Sequence, residues 1–384
     1  MTNHRPHQSV QINEAPSAAN LKVKETISAM LRQEHNYCCY NYLRLLNGNA
    51  GGGGVEPFAP PSRLNESVVL GISNRARVCG WMFSVINHLA GLERETAIVA
   101  MSLLDRYLCS DSALASRAVV LDRNCYCLVA MTCLCIAVKL TGRTLNASVI
   151  CAMYGSGGDL SPTDLIRHEC HVLRCLKWKL AGPTALQFVG YMLKLLPRNA
   201  SHNQEVLYAH CRLQTELAVG DYAMVCFNRS TIAVATILNS IAQVEVEDFP
   251  LHDRNQYTVE LSRVIGLDLE SKMMTEVKGR LLRSLAVLAE ECARAEEEAE
   301  ESIRAQDNES RPNQVSNQGD LRSGAAEVQV AGDIPTLVRV TSCVNPESTP
   351  ANSSDDSSHL SDDSSHLNDD AFFRNLEAFC KNSP

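Results

Sequence analysis

Residues 128–138, LVAMTCLCIAV, carry no charge and present apolar or small side chains on every side of a helical turn. A helix that is apolar all round is stable only when other helices enclose it. The small side chains of Ala130, Thr132, Cys133, Cys135 and Ala137 let those neighbours approach closely. The stretch sits in a predicted helix over residues 121–140, with Lys139 the first charge where it emerges. Upstream, residues 93–108 place Ile98, Met101, Leu104 and Leu108 at three- and four-residue steps, which makes one apolar stripe. Glu93 and Glu95 open that segment, where negative charge complements the unpaired N–H groups of a helix start. Together these segments predict an all-α domain packed round one central helix.

At 384 residues the chain has room for two domains and tails. Its longest apolar run, 128–138, is far short of the roughly 18–20 residues that span a bilayer, and the opening MTNHRPHQSV has no signal-peptide core. No membrane association is expected. Most of the 16 cysteines lie inside helical patterns among Leu, Val and Ala. Free thiols behave so in a reducing compartment, which points to the nucleus or cytoplasm. Residues 291–384 hold 19 acidic and 7 basic side chains, a net of −12; the remaining 28 basic and 25 acidic give residues 1–290 a net of +3. Neither part has the basic face of a nucleic-acid-binding module, and none is expected.

Residues 1–20 are polar and predicted to be disordered. Residues 21–46 carry Ile27, Met30, Leu31, Tyr40 and Leu43 at helical spacing, a predicted amphipathic helix, before Gly51–Gly54 and Pro57, Pro60 and Pro61 make a linker up to residue 64. Helical segments follow at about 73–89, 93–108, 121–140, 145–154 and 162–176, the last opened by Ser161 and Pro162 as N-cap and first helical residue. A second series runs from about 180–196 through 203–218, 230–243, 259–265 and 271–304. Its segment 230–242, STIAVATILNSIA, is again small and apolar all round. The economical reading is a duplicated five-helix unit, with domains at 65–180 and 181–290. Beyond residue 290 a charged helical extension grades into a low-complexity tail that repeats DDSSHL at 355–360 and 362–367.

Enzyme chemistry finds no footing. No phosphate-binding Gly loop, HExxH or GxSxG is present. The pairs Cys125/Cys127 and Cys133/Cys135 have CxC rather than CxxC spacing; residues two apart on a helix face different sides, so core packing is favoured over a metal site. His168 and His171 read as a helix surface. No cofactor, metal or catalytic residue is expected.

Four segments in register resemble the cyclin box: SNRARVCGWMFSVI (73–86), LLDRYL (103–108), MTCLCIAVKL (131–140) and RHECHVLRCLKWKL (167–180). Residues 216–237, ELAVGDYAMVCFNRSTIAVATI, resemble the matching part of a C-terminal cyclin lobe, particularly in D-type cyclins. The resemblance covers roughly residues 65–290 and implies two tandem five-helix cyclin folds. It implies a regulatory subunit that binds and activates a cyclin-dependent protein kinase in cell-cycle control. It further implies that Arg75 and Asp105 form a structural ion pair. Lys139 and Glu169 would contact the kinase, with Leu173, Trp178 and Leu180 adding apolar contacts. The alternative for Lys139 is a lysine complementing a helix C-terminus, and for Glu169 a solvated helix face.

The chain also departs from the family pattern. Asn74 and Arg77 stand where apolar residues are usual and Gly80 where Asp is common. The family's substrate-docking groove is thus reduced to Val78 and Trp81. Thr141 and Gly142 replace the acidic pair that often follows the lysine. Two other readings use the same fold: a degenerate scaffold without kinase activation, and a protein similar to transcription factor IIB, which would need a basic face and usually a zinc ribbon. In the tail, PESTP at 346–350 and the minimal proline-directed site Thr349 suggest a regulatory phosphosite read by a ubiquitin ligase. AFFRNLEAF at 371–379 places Phe372, Leu376 and Phe379 on one helical face.

Overall fold

A computed structural model of the chain describes residues 18–43, 66–89, 91–110, 123–143 and 162–309. Among these there are ten α-helices and no strand: α1 (Ala18–Glu34), α2 (Glu66–His88), α3 (Glu95–Leu108), α4 (Arg123–Leu140), α5 (Pro162–Cys175), α6 (Ala185–Met192), α7 (Gln204–Gly220), α8 (Arg229–Ile241), α9 (Leu251–Ile265) and α10 (Lys272–Glu309). The fold is all-α in two helical sets, α2–α5 and α6–α10. The expected helix at 145–154, the Gly/Pro linker, Ser161, Thr349 and the rest of the tail lie outside the described residues.

The described chain divides into two units, one ending at Lys278 and one beginning at Gly279. In the first unit α4 is the hub, packed on α3 and α5. Val129, Ala130, Met131, Thr132, Cys133, Leu134, Ile136, Ala137 and Val138 are each 2% exposed or less. Consecutive residues can be buried together only when every face of the helix is covered. The Thr132 hydroxyl, which would otherwise be a buried orphan, donates to Leu128 O at 2.7 Å. In the second set α8 takes the same place between α6 and α7, with Ala233, Val234, Ala235, Thr236 and Ile237 all at 0%. The second unit carries α10 onward from Gly279, and there Glu296, Glu297 and Glu298 are exposed.

Helix ends follow local chemistry. Thr184 accepts the Gln187 N–H and caps α6. Gly142 (φ +78°) ends α4, its N–H donating to Lys139 O at 3.0 Å, and Gly266 (φ +71°) ends α9 by donating to Ser262 O at 2.8 Å. A left-handed residue after a helix favours glycine. The Thr141–Gly142 departure from the family pattern is therefore a helix stop.

α1 opens at Ala18, within the stretch 1–20 expected to be disordered, and three boundaries differ more widely from the sequence-based expectation. α2 starts at Glu66 rather than near 73, and α9 at Leu251 rather than near 259, where only Tyr257 and Leu261 are buried and the apolar signal is thin. More consequentially, α1 stops at Glu34 instead of running to 46. A short 3₁₀ turn follows and Cys38 becomes extended (φ −67°, ψ 144°). Tyr42 and Leu43 are then buried within the first unit, 3% and 1% exposed. The spacing of Tyr40 and Leu43 satisfies a helix, but long-range contacts take them elsewhere.

One such contact ends the helix. The first turn of α8 has no side-chain cap from Asn228. Instead the Glu34 carboxylate accepts the Ser230 N–H and the Ser230 hydroxyl, each at 2.8 Å. A carboxylate from 196 positions away thus caps α8 and satisfies an otherwise orphaned donor. Replacing Glu34 with alanine is expected to cost about 1–3 kcal/mol, the usual penalty for leaving a buried donor unpaired. Chemical denaturation checks it: an unchanged midpoint would mean that the clip contributes nothing.

Candidate partner-binding surface

Two layers of charge occupy the first unit, one between the helical sets and one at the surface. In the inner layer Arg75 on α2 is 2% exposed and Asp105 on α3 is 3% exposed. Arg75 Nε donates to Asp105 Oδ1 and Nη2 to Oδ2, both at 2.8 Å, a two-point pairing. Tyr42 Oη donates to Asp105 Oδ1 at 2.9 Å. Burial works against the charge on Arg75, but Asp105 beside it holds the guanidinium pKa well above its ordinary value. Burial, reinforced by Asp105, likewise pushes the Tyr42 hydroxyl up, so it stays a donor.

The remaining donor of Arg75 crosses to the second set. Nη1 reaches Val219 O at 2.7 Å and Gly220 O at 3.2 Å, the unpaired carbonyls at the end of α7, where a cation is favoured. A second arginine reaches the same helix nearby. Arg94 binds both oxygens of Glu216 on α7, with Nη2 at 2.7 Å from Oε2, donates to Asn87 Oδ1 at 2.6 Å and lies over the Phe83 ring at 4.7 Å. Two arginines of the first set therefore fix α7 of the second. Sequence reasoning missed Arg94, Glu216 and Tyr42; the only signal was a glutamate, Glu216, directly before the short apolar run Leu217–Val219.

At the surface, Lys139 closing α4 and Glu169 on α5 bind each other. Lys139 Nζ donates to Glu169 Oε1 at 2.7 Å and Oε2 at 2.6 Å, with the side chains 45% and 18% exposed. Leu140 next to Lys139 is 43% exposed, and Ile166, one turn before Glu169, is 60% exposed. After α5 the backbone makes a tight reversal in which Lys177 (φ +52°) and Trp178 (φ +59°) are both left-handed. Each such residue costs about 1–2 kcal/mol. The reversal is held by Trp178 N–H donating to Leu173 O at 3.0 Å and Arg106 donating to Lys179 O at 2.6 Å. It leaves the Trp178 side chain 68% exposed.

Other sequence-derived site residues are placed differently. Leu173 is 9% exposed and packs in the first set's core with Val172 and Leu176. It is a packing residue rather than a free apolar contact, because the stripe of α5 turns it toward α4. Leu180 is half-buried against that core. Val78 and Trp81 are 1% and 3% exposed, so the expected docking groove is not open at these residues. Their i, i+3 spacing puts them on the same inward face as Arg75; the exposed large apolar residues of α2 are instead Val69 and Leu70.

A cavity of about 60 Å³ lies beside Arg75, Asp105, Leu180 and Thr184. That holds a few waters, well below the roughly 300 Å³ at which ligand pockets begin. Among the described residues no group of three or more His, Cys, Asp or Glu converges as a metal site. No helix among them is long and apolar enough to cross a membrane.

Two helical sets, each built round one enclosed helix and joined through α7, define a tandem cyclin-fold protein. The chain belongs to the cyclin family: the cyclin N-terminal domain matches residues 61–181 and the cyclin C-terminal domain residues 183–319. It is similar to human G1/S-specific cyclin-D1, 26% identical over 199 residues, 51% of this chain and 63% of that one. It is also similar to G1/S-specific cyclin-D2 of Gallus gallus, 28% identical over 176 residues, 45% of this chain and 56% of the relative. The matches thus span less than two thirds of either relative. Among solved structures, a viral cyclin from herpesvirus saimiri aligns with 56% of this chain and 85% of its own at 18% identity and a TM-score of 0.40.

Proposed function

We propose that this chain is a regulatory subunit that binds a cyclin-dependent protein kinase and activates it in cell-cycle control. The observation that carries the reading is the exposed Lys139–Glu169 pair, with Leu140, Ile166 and Trp178 standing out of the same two helices and the reversal after α5. Charged groups rimming exposed apolar side chains suit a protein interface. The two relatives are named G1/S-specific cyclins, which agrees with it. The mechanism is conformational. A kinase needs its β3 Lys–αC Glu ion pair and its activation loop in place, and a rigid helical face that binds only that arrangement shifts the population toward it.

Trp178 is the expected anchor, since exposed tryptophans dominate binding energy when a partner covers them. Trp178→Ala should weaken kinase binding by at least about 30-fold, equivalent to about 2 kcal/mol, while the melting temperature stays put. Titration calorimetry with a purified cyclin-dependent kinase measures it. Equal affinity of parent and variant would reject this face. The buried state of Val78 and Trp81 favours one alternative, a degenerate scaffold without kinase activation. A phosphotransfer assay on the same complex separates the two, because a scaffold leaves kinase turnover at its unbound level.

A role for the tail in turnover, through Thr349 and a ubiquitin ligase, is proposed on sequence grounds. A cycloheximide chase should show longer half-lives for Thr349→Ala and for truncation after Gln306 than for the parent. Equal half-lives for all three would remove that role.

A further inference from the structure

Cys39 and Cys109 are distant in sequence and adjacent in space. Cys109 Sγ lies 3.4 Å from Tyr40 N and 3.4 Å from Tyr40 O, accepting from the first and donating to the second. Tyr40 follows Cys39 directly, so this clasp places Cys109 Sγ against the backbone of its neighbour. The Cys39 and Cys109 thiols act on each other's titration, as neighbouring side chains do. At the other end of the clasp Tyr40 Oη donates to Cys109 O at 2.6 Å. Cys38, although adjacent to Cys39, faces elsewhere: its Sγ is 3.7 Å from Glu34 O and from Asn228 Oδ1.

We propose that Cys39 and Cys109 form a peroxide-oxidised dithiol, whose disulfide fastens segment 38–43 to the end of α3. The other ties on that segment are the core packing of Tyr42 and Leu43 and a set of hydrogen bonds. Leu43 N–H donates to Tyr222 Oη at 2.9 Å, Tyr222 Oη donates to Asn41 Oδ1 at 2.8 Å, and Tyr42 reaches Asp105. These are bonds that water can replace in an open state. A disulfide closing a long loop restricts that opening.

The chemistry balances with hydrogen peroxide as oxidant. One Sγ attacks a peroxide oxygen, the O–O bond breaks, and the departing hydroxide takes up a proton to become water, leaving a sulfenic acid. The second Sγ attacks that sulfur, the S–S bond forms, and the sulfenic oxygen leaves as water with the second thiol's proton. Two thiols and one peroxide give one disulfide and two waters. The two thiols are unequal. The hydrogen bond from Cys109 draws the Cys39 pKa below its ordinary value against the effect of burial, with Arg229 adding to the fall, while the same bond pushes Cys109 up. A lowered thiol pKa favours the thiolate that the first attack needs, and Cys109 is the less buried of the two.

The test uses the reduced full chain, treated with hydrogen peroxide after reductant is removed, then alkylated and mapped by mass spectrometry without reduction. A link between Cys39 and Cys109 should form in the parent and in Cys38→Ser, and should be lost in Cys109→Ser and Cys109→Ala. Hydrogen exchange over residues 38–43 should slow severalfold on oxidation of the parent and recover with dithiothreitol, with no such change in the Cys109 variants. A link that survives loss of Cys109, cysteines carried only to sulfinic acid, or exchange that is unmoved by the link would each overturn the proposal.

Discussion

Asp105→Ala is expected to lower folding stability by about 3–5 kcal/mol, the cost of breaking a buried pair from one side. Asp105 accepts both the Nε and Nη2 bonds of Arg75 and the Tyr42 hydroxyl. Alanine would leave a guanidinium that is 2% exposed without its counter-charge, and a buried phenol without its acceptor. The desolvation of Arg75 is already complete, so nothing offsets the loss. Two carbonyls of α7 would still hold Nη1, which keeps the penalty from growing further. Differential scanning calorimetry should show the midpoint falling by roughly 10 °C, at the about 2–4 °C per kcal/mol typical of domains of 150–250 residues. Arg75→Met together with Asp105→Ala should recover part of the loss, because removing both charges removes the orphan. Melting of Asp105→Ala within a degree or two of the parent would mean that the pair does not hold the fold.

Exchanging the surface pair, Lys139→Glu with Glu169→Lys, should abolish kinase binding with little change in stability. The two side chains bind each other at 2.6–2.7 Å, so the exchanged residues can form the same bridge in reverse. Exposed pairs contribute about 0–1 kcal/mol to folding in any case. What the exchange inverts is the pattern of charge offered to a partner. Like charges brought together at an interface cost several kcal/mol, and a loss of about 4 kcal/mol is about a thousandfold in affinity. Size-exclusion co-elution and calorimetry should therefore register no complex, while circular dichroism and the melting midpoint match the parent. Kinase activation retained by the exchanged protein would remove this face from the proposed function. An exchanged protein that instead loses several degrees of melting temperature would show that the pair serves the fold.

Asp105 and Lys139 mark how far residue spacing carries. The helices at the heart of each set, α4 and α8, are legible because a run of uncharged small and branched residues has one stable environment, and that constraint is local. The helix stops at Gly142 and Gly266 are local too, since backbone conformation selects the residue there. The Arg75–Asp105 partnership and the roles of the surface pair enter only through the family resemblance, since no periodicity links positions on different helices.

Local composition is enough to say which helices must be enclosed, and hence to predict an all-α protein of two helical sets. Where α1 ends, which arginines reach α7 and which side chains remain for a partner depend on the packed chain. Glu34 meets Ser230 across 196 positions and Arg94 meets Glu216 across 122, and Val78, Trp81 and Leu173 are taken into the core. The difference is one of range. Helical periodicity is set by neighbours three and four residues apart, whereas a buried charge finds its partner, and an apolar side chain its cover, only when distant segments are already packed together.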